Sequence, residues 1–278
     1  MASGLGPGSV VWRVSGDWTM MLGGGRALIL QVAHPTVAAG VSQFSDYESA
    51  PWERLTGTLD LYLRVIYGGR SESTVEAGER LRDLHKRIKG VDAYGNRYHA
   101  LDPHSFHWVH ATLVDSMVEM NARFGRRPMT TLEKELFYEE MCEVAKLYGL
   151  REQDMPPDWS AFRAYFDEMV HTELKDSDTL QNVIRSVFRP VKPPVLPVPD
   201  QVWYIASWPG AELLRLTTVG SLPRELRHKA GLDWSREKDL ALRAQAAAIR
   251  TVFPRLPDRL RLMPPAFAAR RGETLVAA

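Results

Sequence analysis

The chain has 278 residues, 35 basic against 34 acidic for a net charge of +1, and 45% hydrophobic residues. That balance excludes a charge-driven partner such as nucleic acid or an anionic membrane surface, and it points to a small-molecule ligand. The single cysteine, Cys142, rules out an internal disulfide and Cys-rich structural zinc.

In chain order, the N-terminal MASGLGPGSVVWRVSGDW has no basic segment leading into an apolar run, so neither a secretion signal nor a transit peptide is expected and a cytoplasmic location is. The window from Met20 to Val41 is the most apolar, but Gly23 to Gly25, Arg26, Gln31, His34 and Pro35 interrupt it, so no membrane span is predicted. The glycine triplet reads as a turn. RALILQVAH follows as a compact helix that Pro35 ends or kinks, with TVAAGV carrying it on. ERLTGTLDLYLRVIYG is amphipathic from Leu55 to Ile66 and stops at Gly68 and Gly69. SESTVEAGERLRDLHKRIKG is a polar helix with Ser71 or Ser73 as N-cap and Gly90 as its stop, and VDAYGNRYHALDP is a turn-rich connection. Asp102 caps the next helix, HSFHWVHATLVDSM, with Pro103 in its first turn. MTTLEKELFYEEMCEVAKLYG and WSAFRAYFDEMVHTEL are two more helices, the first capped at Thr130 or Thr131. Five prolines between Pro190 and Pro199 demand an extended crossover. Helical segments resume to the C-terminus, with a frayed tail from about residue 268. The prediction is one all-α domain over residues 1–278, without hairpin signals of a sandwich or barrel.

Three residues along a helix turn about 300°, so His104, His107 and His110 fan across roughly 120° and share no focus. A non-haem metal centre wants ligands converging from several elements, usually with carboxylates, and neither HEXXH nor a paired EXXH is present. His110 lies on the stripe of Phe106, Leu113, Val114 and Met117, which places one imidazole in the core. Burial keeps it neutral, and two readings follow: a core histidine bonded to a backbone carbonyl, or an axial ligand for haem slotted between helices. His34, before Pro35, either bonds a carbonyl at a helix end or faces a cavity as a proton shuttle. Arg54 and Thr58, four apart on one face, are either solvated or donors toward developing negative charge on oxygen. Arg26 opens the apolar segment that ends at His34.

Taken together, GGGRALILQVAHPTVAAGVSQFSDYESAPWERLTGT, YHALDPHSFHWVHATLVDS and SLPRELRHKAGLDW resemble the bacterial family related to the latex-clearing rubber oxygenases and the fungal oxygenase of mycophenolic acid biosynthesis, over roughly residues 10 to 270. The resemblance implies a globin-like helical core with haem b, its iron ligated by His110 in the HA motif. His107 and Arg26 are then cofactor-binding positions, with His104 and His107 at the entrance or exposed. Arg54, Thr58 and His34 are the implied catalytic residues. Where those relatives carry a lysine just before the threonine this chain has Gly57, and where they carry an arginine and a histidine after the axial ligand it has Val114 and Asp115. The distal side is therefore expected to be open or water-bound, or to use another residue such as His34, and rubber is not the expected substrate. The function implied is a haem b-dependent oxygenase or peroxidase-like oxidoreductase, using dioxygen or peroxide on a small apolar substrate. A haem- or lipid-binding protein without catalysis, or a metal-free acid–base enzyme using His34, are the alternatives. The composition leaves a homo-oligomer open.

Overall fold

A computed structural model describes residues 5–45, 51–68, 72–189 and 191–272; the side chains of residues 51, 54, 72 and 73 lie outside that description. The chain is all-α apart from one short hairpin. The helices are α1 (Val10–Ser15), α2 (Gly24–Val32), α3 (Pro35–Phe44), α4 (Pro51–Tyr67), α5 (Glu72–Lys86), α6 (Pro103–Phe124), α7 (Thr131–Leu147), α8 (Trp159–Thr172), α9 (Asp178–Phe188), α10 (Asp200–Ser221), α11 (Arg224–Lys229), α12 (Arg236–Val252), α13 (Asp258–Arg261) and α14 (Pro264–Arg270). Strands β1 (Lys89–Val91) and β2 (Arg97–His99) pair antiparallel, Lys89 opposite His99.

The axis of the fold is α6. Asp102 caps it by accepting from the His104 amide, Pro103 occupies its first turn, and it packs against α2, α7, α12 and the 3-10 turn Trp18–Gly23. Its Trp108 is fully buried and satisfies its indole N–H on the Leu30 carbonyl at 3.1 Å. Close approach of α2 depends on glycines at its start. A Cβ on Gly23 would stand 2.7 Å from Met120, and one on Gly25 would stand 2.6 Å from Thr218. The triplet expected as a turn is thus the junction between the 3-10 turn and α2.

Pro35 does more than kink a helix. It disfavours the α region for His34, which is extended (φ −79, ψ 127), so α2 ends at Val32 and α3 starts afresh with Pro35 in its first turn. The connection read as turns contains the hairpin: Asp92 accepts from the Tyr94 and Asn96 amides, Gly95 takes φ +84, and Gly90, expected to stop a helix, sits in β1. Ser71 and the side chain of Ser73, the expected caps of α5, lie outside the described residues. The helical ending reaches Arg270 in α14, beyond the expected fraying point. Residues 191–199 are non-helical, as the prolines require.

Thr130 and Glu133 form a reciprocal capping box at the start of α7, and Glu133 also pairs with Arg127 and Arg13. Thr130→Ala is expected to cost about 1 kcal/mol, seen as a melting temperature lowered by about 2–4 °C in a thermal scan.

Candidate functional site

His110 is 7% exposed, on the stripe of α6 that carries Phe106, Val109, Leu113 and Met117. Its ring hydrogen-bonds to the Met141 backbone carbonyl of α7, and its Nε2 is buried with no partner. A carbonyl only accepts, so the nitrogen facing Met141 carries the proton and Nε2 keeps its lone pair. Burial first, then neighbouring His107, pushes the pKa down to about 3, so the ring is neutral in water of ordinary pH. The core-carbonyl reading is what the structure shows of this ring, and its other nitrogen is left without a hydrogen-bond partner.

Around that stripe the helices are held by specific contacts. The Tyr62 hydroxyl on α4 sits 2.9 Å from the Met117 sulfur, and His85 on α5 packs edge-on to Phe106 at 5.7 Å. Thr58 is exposed, and the Arg54 side chain lies outside the described residues. Beside the stripe is a cavity of 150 Å³ lined by Leu28, Val37, Val41, Phe44, Phe106 and Val109 among others.

Arg26, expected to bind the cofactor, is committed elsewhere. Its three guanidinium nitrogens donate to the Ser221 carbonyl at 2.8 Å, Ser116 Oγ at 2.7 Å and Asp115 at 2.6 Å, with Arg26 3% and Asp115 5% exposed. The second Asp115 oxygen takes a short contact from Arg163 of α8. Asp115 therefore ties α2 and α8 to α6. The sequence signal for it, an acid on the buried face five residues after His110, carried no hint of its two arginines.

His107 is corrected too. Rather than lining an entrance, it is 3% exposed, with its ring 4.7 Å from that of Tyr165 on α8. Burial first, and His104 second, push its pKa down to about 4. Unfolded, the same ring titrates near 6.5. The unfolded chain takes up a proton that the folded one refuses, so the contribution of His107 is intact above pH 6.5 and is lost as pH falls toward 4. His34 and His110 shift in the same direction. Urea unfolding of the apoprotein should show stability dropping over that window, and His107→Phe should remove up to about 1.4 kcal/mol per pH unit from the slope. An unchanged acid limb in the variant would refute this assignment.

His34 forms the extended N-cap of α3, 4% exposed, with neither ring nitrogen partnered; burial pushes its pKa down to about 4. It faces His104, ring centroids 5.5 Å apart, and not His110. His104 is exposed, as expected, in the first turn of α6. Glu173 at the end of α8 brings a carboxylate oxygen into the same place: one ligand atom from each of His34, His104 and Glu173 lies within 4.8 Å of the others. Sequence reasoning did not find Glu173.

The fold defines an α-helical protein with a buried imidazole, His110, on its central helix. A family model described as "ER-bound oxygenase mpaB/B'/Rubber oxygenase, catalytic domain" matches residues 12–251, and the chain belongs to that family. It is accordingly an enzyme of the oxygenase class. Searches of curated proteins and of solved structures returned no significant match. Among the described residues, no helix is long and apolar enough to cross a membrane.

Proposed function

We propose that the chain is a haem b oxygenase that oxidises a small apolar molecule, with His110 as the axial ligand. The observation that carries this reading is the unpartnered Nε2 of His110 backed by the Met141 carbonyl, since a metal-bound imidazole characteristically donates its other N–H to such a group. The donor chemistry fits the cofactor. Haem b held there supplies a redox-active iron at which dioxygen or peroxide is activated.

The chain's own residues have three tasks. Met141 fixes the tautomer of His110 and the plane of its ring, so that no proton has to leave Nε2 before ligation. Arg54 and Thr58, four residues apart on α4, would supply a permanent charge and a hydroxyl for negative charge developing on oxygen. Leu28, Val37, Val41 and Phe106 give the cavity apolar walls that suit an apolar substrate. Ligand sites run to about 300–1,000 Å³, and the 150 Å³ cavity is lined by Phe106 and Val109 but not by His110, so a macrocycle at Nε2 needs the helices around His110 to part.

The test is an absorbance scan of protein purified from cells supplied with a haem precursor. A Soret band at about one haem per chain, bleaching or shifting on addition of peroxide, is expected. A colourless protein that also fails to take up haemin would sink the reading.

A further inference from the structure

We propose that His34, His104 and Glu173 form a second, separate site, one that binds a divalent transition ion of the zinc type. The three come from different elements: the α2–α3 junction, the first turn of α6 and the end of α8. Convergence of that kind is what the histidine spacing along α6 alone could not supply. His34 marks the place for a ligand. It is 96% removed from water by a relative exposure of 4%, yet both of its nitrogens lack a partner. An imidazole left so is costly unless something accepts its lone pair.

The scaffold around it is fixed. The Lys175 amide donates to the Ala33 carbonyl at 2.9 Å, which pins the segment after Glu173 to the residue before His34. The Lys175 ammonium lies 4.6 Å from the Tyr94 ring centroid, a cation–π contact, and so does not neutralise Glu173. Charge also favours a cation. The N-terminal turns of α3 and α6 contribute about +0.5 each, whereas Glu173 and the α6 cap Asp102, whose charge acts on His34, supply a full negative charge apiece.

Ligands about 2.0–2.2 Å from a tetrahedral ion stand about 3.3–3.6 Å apart. The present separations of up to 4.8 Å therefore close by about 1.5 Å, a displacement that a rotamer adjustment of exposed His104 supplies while His34 stays put. Two imidazoles and one carboxylate select a borderline transition ion over magnesium or calcium, which take all-oxygen shells. Three protein ligands leave room for water. The bound ion clamps the α2–α3 junction to α6 and α8 at a point six residues along α6 from His110 and roughly 120° round the helix, so this site does not depend on the haem reading.

The experiment loads chelator-treated full-length protein with Zn²⁺ alone and measures uptake by calorimetry, melting temperature by scanning, and haem content by the Soret band in parallel. One equivalent of zinc is expected, with a melting temperature raised by about 5–10 °C at a hundredfold excess over Kd. His104→Ala and Glu173→Gln, both at the surface end of the site, are expected to weaken binding more than about 100-fold, beyond what loss of an outer-shell partner causes, with haem content unchanged. His171→Ala, whose ring bonds the Asp167 carbonyl, keeps wild-type affinity. Uptake below one equivalent, or affinity that His104→Ala and Glu173→Gln leave unchanged, overturns the proposal. Loss of the Soret band in wild type with zinc uptake intact would instead strike only the haem reading.

Discussion

Asp115→Ala is expected to cost about 3–5 kcal/mol of folding stability, read as a drop in the urea midpoint with the slope unchanged. The carboxylate stands between two guanidinium groups, Arg26 on one oxygen and Arg163 on the other. Arg26 is 3% exposed, so deleting Asp115 leaves a buried guanidinium with only Ser116 and the Ser221 carbonyl to solvate it. The pair is not itself a large net gain, because both ions surrendered their hydration to reach the core. The double variant Arg26→Met with Asp115→Leu should consequently recover most of the loss. Arg163, with its side chain 38% exposed, is screened by water, and Arg163→Met should cost no more than about 1 kcal/mol. A single Asp115 variant that loses less than about 1 kcal/mol would show that Arg26 finds water or another partner. The clamp also bears on function: holding α2 and α8 to α6 fixes the rotation of α6, and that rotation decides whether His110 meets the Met141 carbonyl.

Local features were legible in the sequence wherever their cause was local. Asp102 with Pro103 starts α6, Thr130 starts α7, and the prolines forbid helix at 191–199, because capping and the missing N–H act within a few residues. The stripe through Phe106, His110, Leu113 and Met117 placed one imidazole inside, and the structure has it 7% exposed. Of the two readings that Pro35 left open, an end or a kink, the structure has the end: α2 stops at Val32 and α3 starts at Pro35. The hairpin was hidden because Lys89–Val91 and Arg97–His99 are too short to alternate visibly. Arg26 shows where reading fails: at the head of an apolar segment it invites a ligand, and only a partner 89 residues away reveals an ion pair. Glu173 was equally out of reach, because its neighbours His34 and His104 are distant in sequence and nothing in MVHTEL marks it.

His110→Leu is expected to remove haem binding while leaving the apoprotein as stable as before or more so. The Soret absorbance per chain should fall at least about tenfold, since under the proposed function one imidazole supplies the protein's bond to the iron. Stability should move the other way because the wild-type ring holds a buried, unpartnered Nε2 whose desolvation costs about 1–3 kcal/mol. Leucine fills similar space without that penalty. The Met141 carbonyl loses a donor, but it sits within α7, where the helical ladder gives it a backbone partner. A structural histidine predicts the reverse pattern: its removal would lower the melting temperature and leave the Soret band in place. His110→Gly with added imidazole separates the two once more, because a free imidazole entering the vacated space restores the band only if Nε2 faces the iron. Protein that binds haemin equally well with and without the imidazole at position 110 would end the assignment, and the oxygenase would then have to hold its cofactor through another residue.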